Sequence, residues 1–155
     1  MTDIAATPRP ASGLGALIRH SRYVIGENRV TGFAFGLFLL IVLAKARPGE
    51  LNYSAGGTGS NGHLAAELFK AMAGVNIVRI NYKGTGAALN ALIANQVQLM
   101  FATTGAATPH VRSGRLQALA VTSSGPSALY PDLPTVAASG LPGYESASIY
   151  GIFTP

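Results

Sequence analysis

The stretch of this sequence best suited to chemistry is the run SAGGTGS at residues 54–60. It separates a short extended run, predicted as a strand over residues 51–54, from a helical pattern. Glycines let a backbone approach a ligand closely, and the first turn of a helix presents unpaired N–H groups at the positive end of its dipole. Ser54, Thr58 and Ser60 add hydroxyl donors. The run therefore predicts a carboxylate or phosphate site, or only a tight turn with an N-cap.

Residues 57–62 match the dinucleotide-binding fingerprint G-x-G-x-x-G, between a predicted strand and a predicted helix. That fingerprint also needs an acidic residue about 20 positions further on, where it binds the ribose. The next predicted strand ends in INYK at residues 80–83, with no acid nearby. NAD is therefore disfavoured, while an NADP-binding Rossmann-like oxidoreductase fragment that uses Arg79 or Lys83 stays open as the alternative.

The residues after the glycines argue against hydrolysis and covalent catalysis. His63 stands where a P-loop needs its lysine. Ser60 and His63 share a helix face, but a nucleophile and its base need a third group to orient the base. The motif has no carboxylate, and Glu67 lies one turn further on. The other histidines are isolated and cysteine is absent, so metal-ligand spacing is missing. We expect no catalytic residue, no metal and no cofactor.

Two further loops are predicted at the same edge of a sheet, because ligands of parallel sheets bind beyond the carboxyl ends of the strands. Residues 83–86 and 103–108 are rich in small and hydroxyl-bearing residues and contain no acid. Lys83 would suit a carboxylate ligand, with a solvated loop charge as the alternative. Tyr82 borders the same loop or packs on the end of the sheet.

The elements that must position these loops alternate regularly, which predicts an α/β fold with right-handed crossovers and a parallel sheet. Near-continuous apolar runs are typical of parallel strands buried on both faces. Strands are predicted over residues 51–54, 75–82, 97–102, 116–122 and 146–153. Helices are predicted from about residue 61 to a cap at Gly74, and over residues 87–94, 109–114 and 135–139.

The buried faces of the first two of these helices follow from helical spacing. The residues predicted to face inward are Leu64, Leu68, Phe69 and Met72 on the first helix, and Ala88, Leu89, Leu92 and Ile93 on the second.

Composition bounds the function classes. The 155 residues carry a net charge of +5, yet charged residues make up only 11%, against about 25% in an ordinary soluble domain. The basic residues are scattered along the chain instead of forming one stripe, which argues against nucleic-acid binding. The absence of cysteine excludes disulfides and thiolate chemistry. An anionic partner fits the charge balance.

The N-terminal part differs from the rest. A polar and basic segment, residues 1–29, precedes fifteen uncharged residues, 30–44. As a helix these fifteen would span about 22 Å, short of a hydrocarbon core of about 30 Å. A signal-peptide apolar region, a short or tilted membrane anchor, and a buried core helix or strand remain open as interpretations. We expect the folded lobe over residues 45–155.

Four segments in order resemble the Bug-type solute receptors, the extracytoplasmic substrate-binding proteins of tripartite tricarboxylate transporters. The likeness covers residues 44–153 and rests on residues 51–65, 78–88, 109–123 and 133–145. Residues 28–43 also resemble, over a short span, the N-terminus of dipeptide and oligopeptide ABC permeases.

The resemblance implies the second lobe of a type II periplasmic-binding-protein-like fold, which holds a small organic carboxylate for cognate membrane permease subunits, without enzyme activity. It implies a periplasmic location, with a tether to the inner membrane through residues 30–44 as an option. Family members are about twice as long, so we expect a truncated or fused lobe that binds weakly. The ligand-binding residues implied are Ser54, Gly57, Thr58, Gly59, Ser60, His63, Tyr82, Lys83, Gly84, Thr103 and Thr104.

Overall fold

A computed structural model describes residues 29–148 and residue 154 of the chain. Its centre is a three-stranded parallel sheet in the order β2-β1-β3. The strands are β1 (Asn52–Ala55), β2 (Val78–Asn81) and β3 (Leu99–Met100). All pairings are parallel, as the alternating pattern predicts. The carboxyl ends of the strands, where the candidate loops begin, therefore lie at one edge of the sheet.

Four helices surround this sheet among the described residues: α1 (Arg29–Ala46), α2 (Asn61–Ala73), α3 (Thr85–Ile93) and α4 (Thr104–Arg112). Helix α2 begins and ends where the sequence predicts. Ser60 is its N-cap, and Gly74 ends it in the left-handed conformation at φ 61°, which glycine adopts without steric cost.

The core lies between α2 and the sheet, and its largest fully buried side chains include Tyr53, Phe69 and Tyr144. The ring of Phe69 lies 5.5 Å from that of Phe101 and meets Tyr144 edge-on at 6.3 Å, an arrangement that aromatic pairs favour. The Tyr144 hydroxyl donates to the carbonyl oxygen of Ala65 at 2.9 Å. A segment distant in sequence is thereby fixed to the middle of α2.

Burial raises the pKa of the Tyr144 phenol from 10.0 to about 12. Between these pH values the unfolded chain loses the phenolic proton and the folded chain keeps it. The unfolded state then binds fewer protons, so the free energy of unfolding falls as the pH rises. We expect stability, measured by urea unfolding at stepped pH, to decline from pH 10 towards 12, and less steeply in Tyr144→Phe. An equally steep decline in that variant would contradict this origin.

The face that α2 buries differs from the prediction. Ala65, Ala66, Phe69 and Ala73 are buried, while the side chains predicted to join Phe69 are not. Their exposed fractions are 57% for Leu64, 38% for Leu68 and 38% for Met72. The inner side of α2 thus consists of three alanines and Phe69, and its first turn lies against the Phe101 carbonyl oxygen at Gly62. On α3, Ala88 and Leu89 are buried as predicted, whereas Leu92 and Ile93 are half-buried.

Helix α1 packs one side against the core. Leu37 and Ala44 are buried, and a Cβ at Gly36 would lie 3.3 Å from the Leu119 side chain. The opposite side exposes apolar side chains: Phe35, Phe38, Leu39, Val42 and Leu43. Within residues 29–148, no helix combines the length and apolar character that crossing a membrane requires. Residues 1–28, including most of the predicted basic segment, lie outside the described part.

The fourth predicted strand is not found, and the fifth is not found over its described residues. Residues 116–122 form no strand, and only Val121 makes an isolated parallel bridge, to Thr135. This segment does not join the three-stranded sheet but lines, together with β3, an apolar cavity of about 980 Å³. Residues 146–148 are irregular, and the rest of the fifth predicted strand, residues 149–153, lies outside the described residues.

Two predicted helices also need correction. Residues 135–139 form a turn, closed by a hydrogen bond from the Ser139 amide to the Thr135 carbonyl at 3.1 Å. Residues 103–108 are not a loop, because the amides of Ala106 and Ala107 donate to the Thr103 carbonyl and so begin α4 early. Pro109 consequently lies inside the helix instead of in its first turn.

Candidate functional site

The glycine-rich run forms the turn from β1 into α2. Gly57 and Gly59 have φ angles of 147° and 80°, which side chains other than glycine rarely adopt. The turn is closed by two hydrogen bonds from Ser60 to the Gly57 carbonyl, from its amide at 3.3 Å and its hydroxyl at 2.9 Å. The Ser60 hydroxyl in turn accepts from the His63 amide at 3.3 Å. Ser60 is thus the N-cap of α2, and its hydroxyl is occupied by the turn itself.

The turn nevertheless keeps unpaired donors. The Gly59 amide donates to His63 Nδ1 at 3.0 Å, and the Leu64 amide donates to the Ser60 carbonyl at 3.0 Å. Among the described residues, the remaining amides of this stretch have no hydrogen-bond acceptor. They belong to Gly57, Thr58, Asn61 and Gly62. These amides lie at the positive end of the α2 dipole, where an anion is stabilised.

The second candidate loop lies against the first. The Tyr82 amide donates to the Ala55 carbonyl at 2.9 Å, and the Gly84 amide donates to the Gly56 carbonyl at 3.1 Å. A Cβ at Gly56 would lie 3.0 Å from the Thr85 amide nitrogen. Tyr82 is half-buried there, whereas Lys83 and Gly84 are exposed. The structure therefore brings these predicted residues next to the glycine turn.

The third candidate segment lies across the first turn of α2. Thr103 is the N-cap of α4 and makes no side-chain capping bond. Thr103 and Thr104 line the 980 Å³ cavity together with Asn61 and Gly62 of α2. The amino ends of α2 and α4 thus share one cavity, which is otherwise mostly apolar. The three segments therefore meet at one edge of the sheet as predicted, although the third is the start of a helix and not a loop.

Ser54 is deeply buried, with 1% of its surface exposed, and its hydroxyl has no hydrogen-bond partner among the described atoms. Its neighbour Tyr53 points towards α2, where its hydroxyl donates to Glu67 at 2.7 Å. Side chains alternate along a strand, so Ser54 points to the opposite face, which carries α3. Ser54 therefore lies beneath the loop edge instead of in the turn. Its unpaired buried hydroxyl costs about 1–3 kcal/mol of stability.

A charged cluster lies on the other side of the turn. Lys70 Nζ contacts both carboxylate oxygens of Glu67 at 3.0 Å. The hydrogen bond from Tyr53, helped by Lys70, lowers the pKa of Glu67, while burial and this hydrogen bond raise the pKa of Tyr53. Arg79 Nη1 contacts His63 Nε2. The carboxylate near the turn is therefore already engaged and is not available to orient His63 as a base.

From the sequence alone, Arg79 is a candidate only as an NADP ligand. The parallel register pairs Arg79 with Tyr53, which places its side chain on the α2 face and next to His63. No spacing in the sequence reveals this register. Within the described residues, no three His, Cys, Asp or Glu side chains cluster as metal ligands.

Solved structures of other proteins share the fold of this chain. An R. palustris protein with adipate superposes with a TM-score of 0.68 at 41% identity, over 69% of this chain and 36% of that one. MatC from Rhodopseudomonas palustris with bound malate gives 0.65 at 29% identity, over 68% and 36%. The periplasmic binding protein BugD gives 0.64 at 37% identity, over 68% and 36%. The α/β fold with a parallel sheet is thereby confirmed as that of periplasmic binding proteins.

Sequence comparison gives the family. Residues 36–155 match the model of the tripartite tricarboxylate transporter family receptor. Protein BugT of Bordetella pertussis is 38% identical over 116 residues, which cover 75% of this chain and 36% of BugT. The chain belongs to the tripartite tricarboxylate transporter receptor family, and the resemblance to Bug-type receptors is confirmed. The chain spans a little over a third of the length of these relatives. The match to the family model begins inside α1.

Proposed function

We propose that this chain is a solute-binding receptor lobe that holds a small organic carboxylate at the turn between β1 and α2. The family of the chain, and the neighbours solved with adipate and malate, support this class of ligand. In this proposal the lobe works in the periplasm, delivers its ligand to permease subunits of a tripartite transporter and catalyses no reaction. It needs neither a metal nor a cofactor.

The observation that carries the proposal is the set of unpaired amides at Gly57, Thr58, Asn61 and Gly62. Each oxygen of a carboxylate accepts two or more hydrogen bonds, so such a group matches a concentrated set of donors. Glu67 is the nearest acid in the turn helix and is bound to Tyr53 and Lys70. An incoming carboxylate therefore meets donors without a competing free acid in the motif.

The candidate contacts follow from this geometry. The unpaired amides of Gly57, Thr58, Asn61 and Gly62, with the Thr58 hydroxyl, bind the carboxylate. The Gly59 amide and His63, which bond each other in the structure, turn to the carboxylate when it binds. Ser60 shapes the turn as its cap. Tyr82, Lys83 and Gly84 border the same edge, and Lys83 adds long-range attraction. Thr103 and Thr104 face the ligand across the cavity. Ser54 supports the loop edge from below.

Isothermal titration calorimetry of the full chain with adipate, malate, citrate, benzoate and inorganic phosphate tests the proposal. We expect heat from at least one of the organic acids. Gly59→Ala should weaken that binding about tenfold or more, because a φ of 80° costs alanine about 1–2 kcal/mol and distorts the turn. Gly125→Ala is the matched control, since a Cβ there meets nothing within 4 Å.

Three results would contradict the proposal. The first is the absence of heat with every organic acid while circular dichroism shows a folded chain. The second is binding that Gly59→Ala and Gly125→Ala weaken equally, which would place the ligand away from the turn. The third is binding of phosphate alone, which would contradict the proposed ligand class.

A further inference from the structure

His63 lies between two hydrogen-bond donors. Its Nδ1 accepts from the Gly59 amide at 3.0 Å, and its Nε2 contacts Nη1 of Arg79. A neutral imidazole has one acceptor nitrogen and one N–H, and a guanidinium only donates. The ring can therefore accept from Gly59 or from Arg79, but not from both. One donor facing the ring is left without an acceptor whenever the turn is empty.

Among the described residues, no carboxylate forms an ion pair with Arg79. Arg79 is half-buried on β2, and the ion pairs among the described residues join Arg47 to Glu50 and Lys70 to Glu67. Glu67 also accepts from Tyr53. The contact with His63 is thus the one polar contact of the Arg79 side chain in the described part of the chain. An acceptor from outside would relieve the excess of donors around His63.

We propose that Arg79 is a positioning residue that sets the tautomer of His63 when an organic carboxylate binds; this inference rests on the proposed function. In the empty turn, Nδ1 accepts from Gly59 and Nε2 carries the ring proton. In the bound state, one carboxylate oxygen accepts from the Gly59 amide and from Nδ1–H. Nε2 then accepts from Arg79, so every donor has an acceptor.

The switch balances without any other reactant. The ring releases the Nε2 proton to water and takes a proton from water at Nδ1, so its net charge stays the same. Arg79 keeps its proton throughout, as guanidinium groups do in proteins. The positive charge of Arg79 then polarises the His63 ring. The ring donates its Nδ1–H to the carboxylate beside the Gly59 amide.

The test measures the tautomer of the His63 ring directly. The chain contains three histidines, so His20→Gln and His110→Gln together leave His63 as the sole source of imidazole signals. Two-bond ¹H–¹⁵N correlation spectra at pH 7.5, with and without saturating adipate or malate, distinguish the two tautomers and the doubly protonated ring. We expect Nε2–H in the free chain and Nδ1–H in the bound chain. An unchanged tautomer, or a doubly protonated ring in the bound chain, would overturn the inference.

Variants at Arg79 separate positioning from folding. Arg79→Met should weaken acid binding about tenfold, because His63 Nε2 loses its charged donor and the ring no longer favours Nδ1–H. It should also abolish the change of tautomer. Arg79→Lys keeps a cationic donor and should retain that change. Arg112→Met is the control, because it removes the same charge from an exposed site at the end of α4.

The outcomes separate the two proposals. If neither acid binds the wild-type chain, the proposed function and the inference both fail. If an acid binds without a change of tautomer, the inference alone fails. Should Arg79→Met not fold, the wild-type spectra and Arg79→Lys still decide, and loss of the change in Arg79→Lys with full affinity would refute the role of Arg79.

Discussion

Replacing Phe69 with alanine is expected to destabilise the fold by about 3–5 kcal/mol, the usual cost of removing a buried aromatic side chain. Phe69 is 1% exposed and contacts the rings of Phe101 and Tyr144. Neither ring can fill the space that Phe69 leaves. Phe101 directly follows β3, and Tyr144 is held by its hydrogen bond to Ala65. For a chain of this length the midpoint of thermal unfolding should fall by about 10 °C.

The matched control is Phe38→Ala. Phe38 lies on the outer side of α1 with 55% of its surface exposed, so its removal should cost less than about 1 kcal/mol. Urea unfolding followed by circular dichroism measures both variants. Equal losses would mean that the core is not organised around Phe69. A Phe69→Leu variant should fall between the wild type and Phe69→Ala.

Gly62→Ala is expected to reduce stability by about 2 kcal/mol or more, even though alanine favours helix formation. A Cβ at Gly62 would lie 2.4 Å from the Phe101 carbonyl oxygen. That oxygen belongs to the backbone, so the contact can be relieved only by moving α2 away from the end of β3. Overpacking of this kind costs about 1–3 kcal/mol, and displacement of the buried α2 face adds to it. The gain in helix propensity is only about 1 kcal/mol.

Gly86→Ala provides the comparison. Gly86 lies in the first turn of α3, where a Cβ would meet nothing within 4 Å. This variant should be neutral or more stable by up to about 1 kcal/mol. Opposite signs for the two glycine variants in urea unfolding are the expected result. If Gly62→Ala were as stable as Gly86→Ala, the close approach of α2 to the sheet would be wrong.

Gly62→Ala should also disturb the site. Gly62 contributes an unpaired amide and lines the cavity shared with α4. Moving α2 by the distance needed to relieve the contact changes where its first turn points. Loss of carboxylate binding beyond the loss of stability would therefore connect the packing of this helix to the proposed function.

Local signals predicted the parts of the site that depend on nearby residues. The glycine-rich run, the cap at Ser60 and the end of α2 at Gly74 each rest on interactions within four residues. Such interactions are readable from the sequence because residue type decides them directly. The alternation of strands and helices predicts that three segments meet at one edge of a parallel sheet, and the structure agrees, although the third segment begins α4 instead of forming a loop.

The errors share one cause. Leu64, Leu68 and Met72 have the spacing of a buried face, but α2 packs its other side, with Ala65, Ala66 and Phe69, against the core. Residues 116–122 have the composition of a strand, yet only Val121 makes a bridge, to Thr135. In both cases the packing of one element against another, which no local pattern contains, decided the outcome.

By itself the sequence determined the fold class, the place of the candidate anion-binding turn and the family, because these depend on residue type and order along the chain. Only the tertiary structure decided that Arg79 meets His63 and that the Ser54 hydroxyl is buried with no hydrogen-bond partner among the described residues. The reason is strand register: a shift of β2 by one residue would turn Arg79 to the other face of the sheet. Register is fixed by packing across the whole sheet, so the chemistry around His63 appears only in the folded chain.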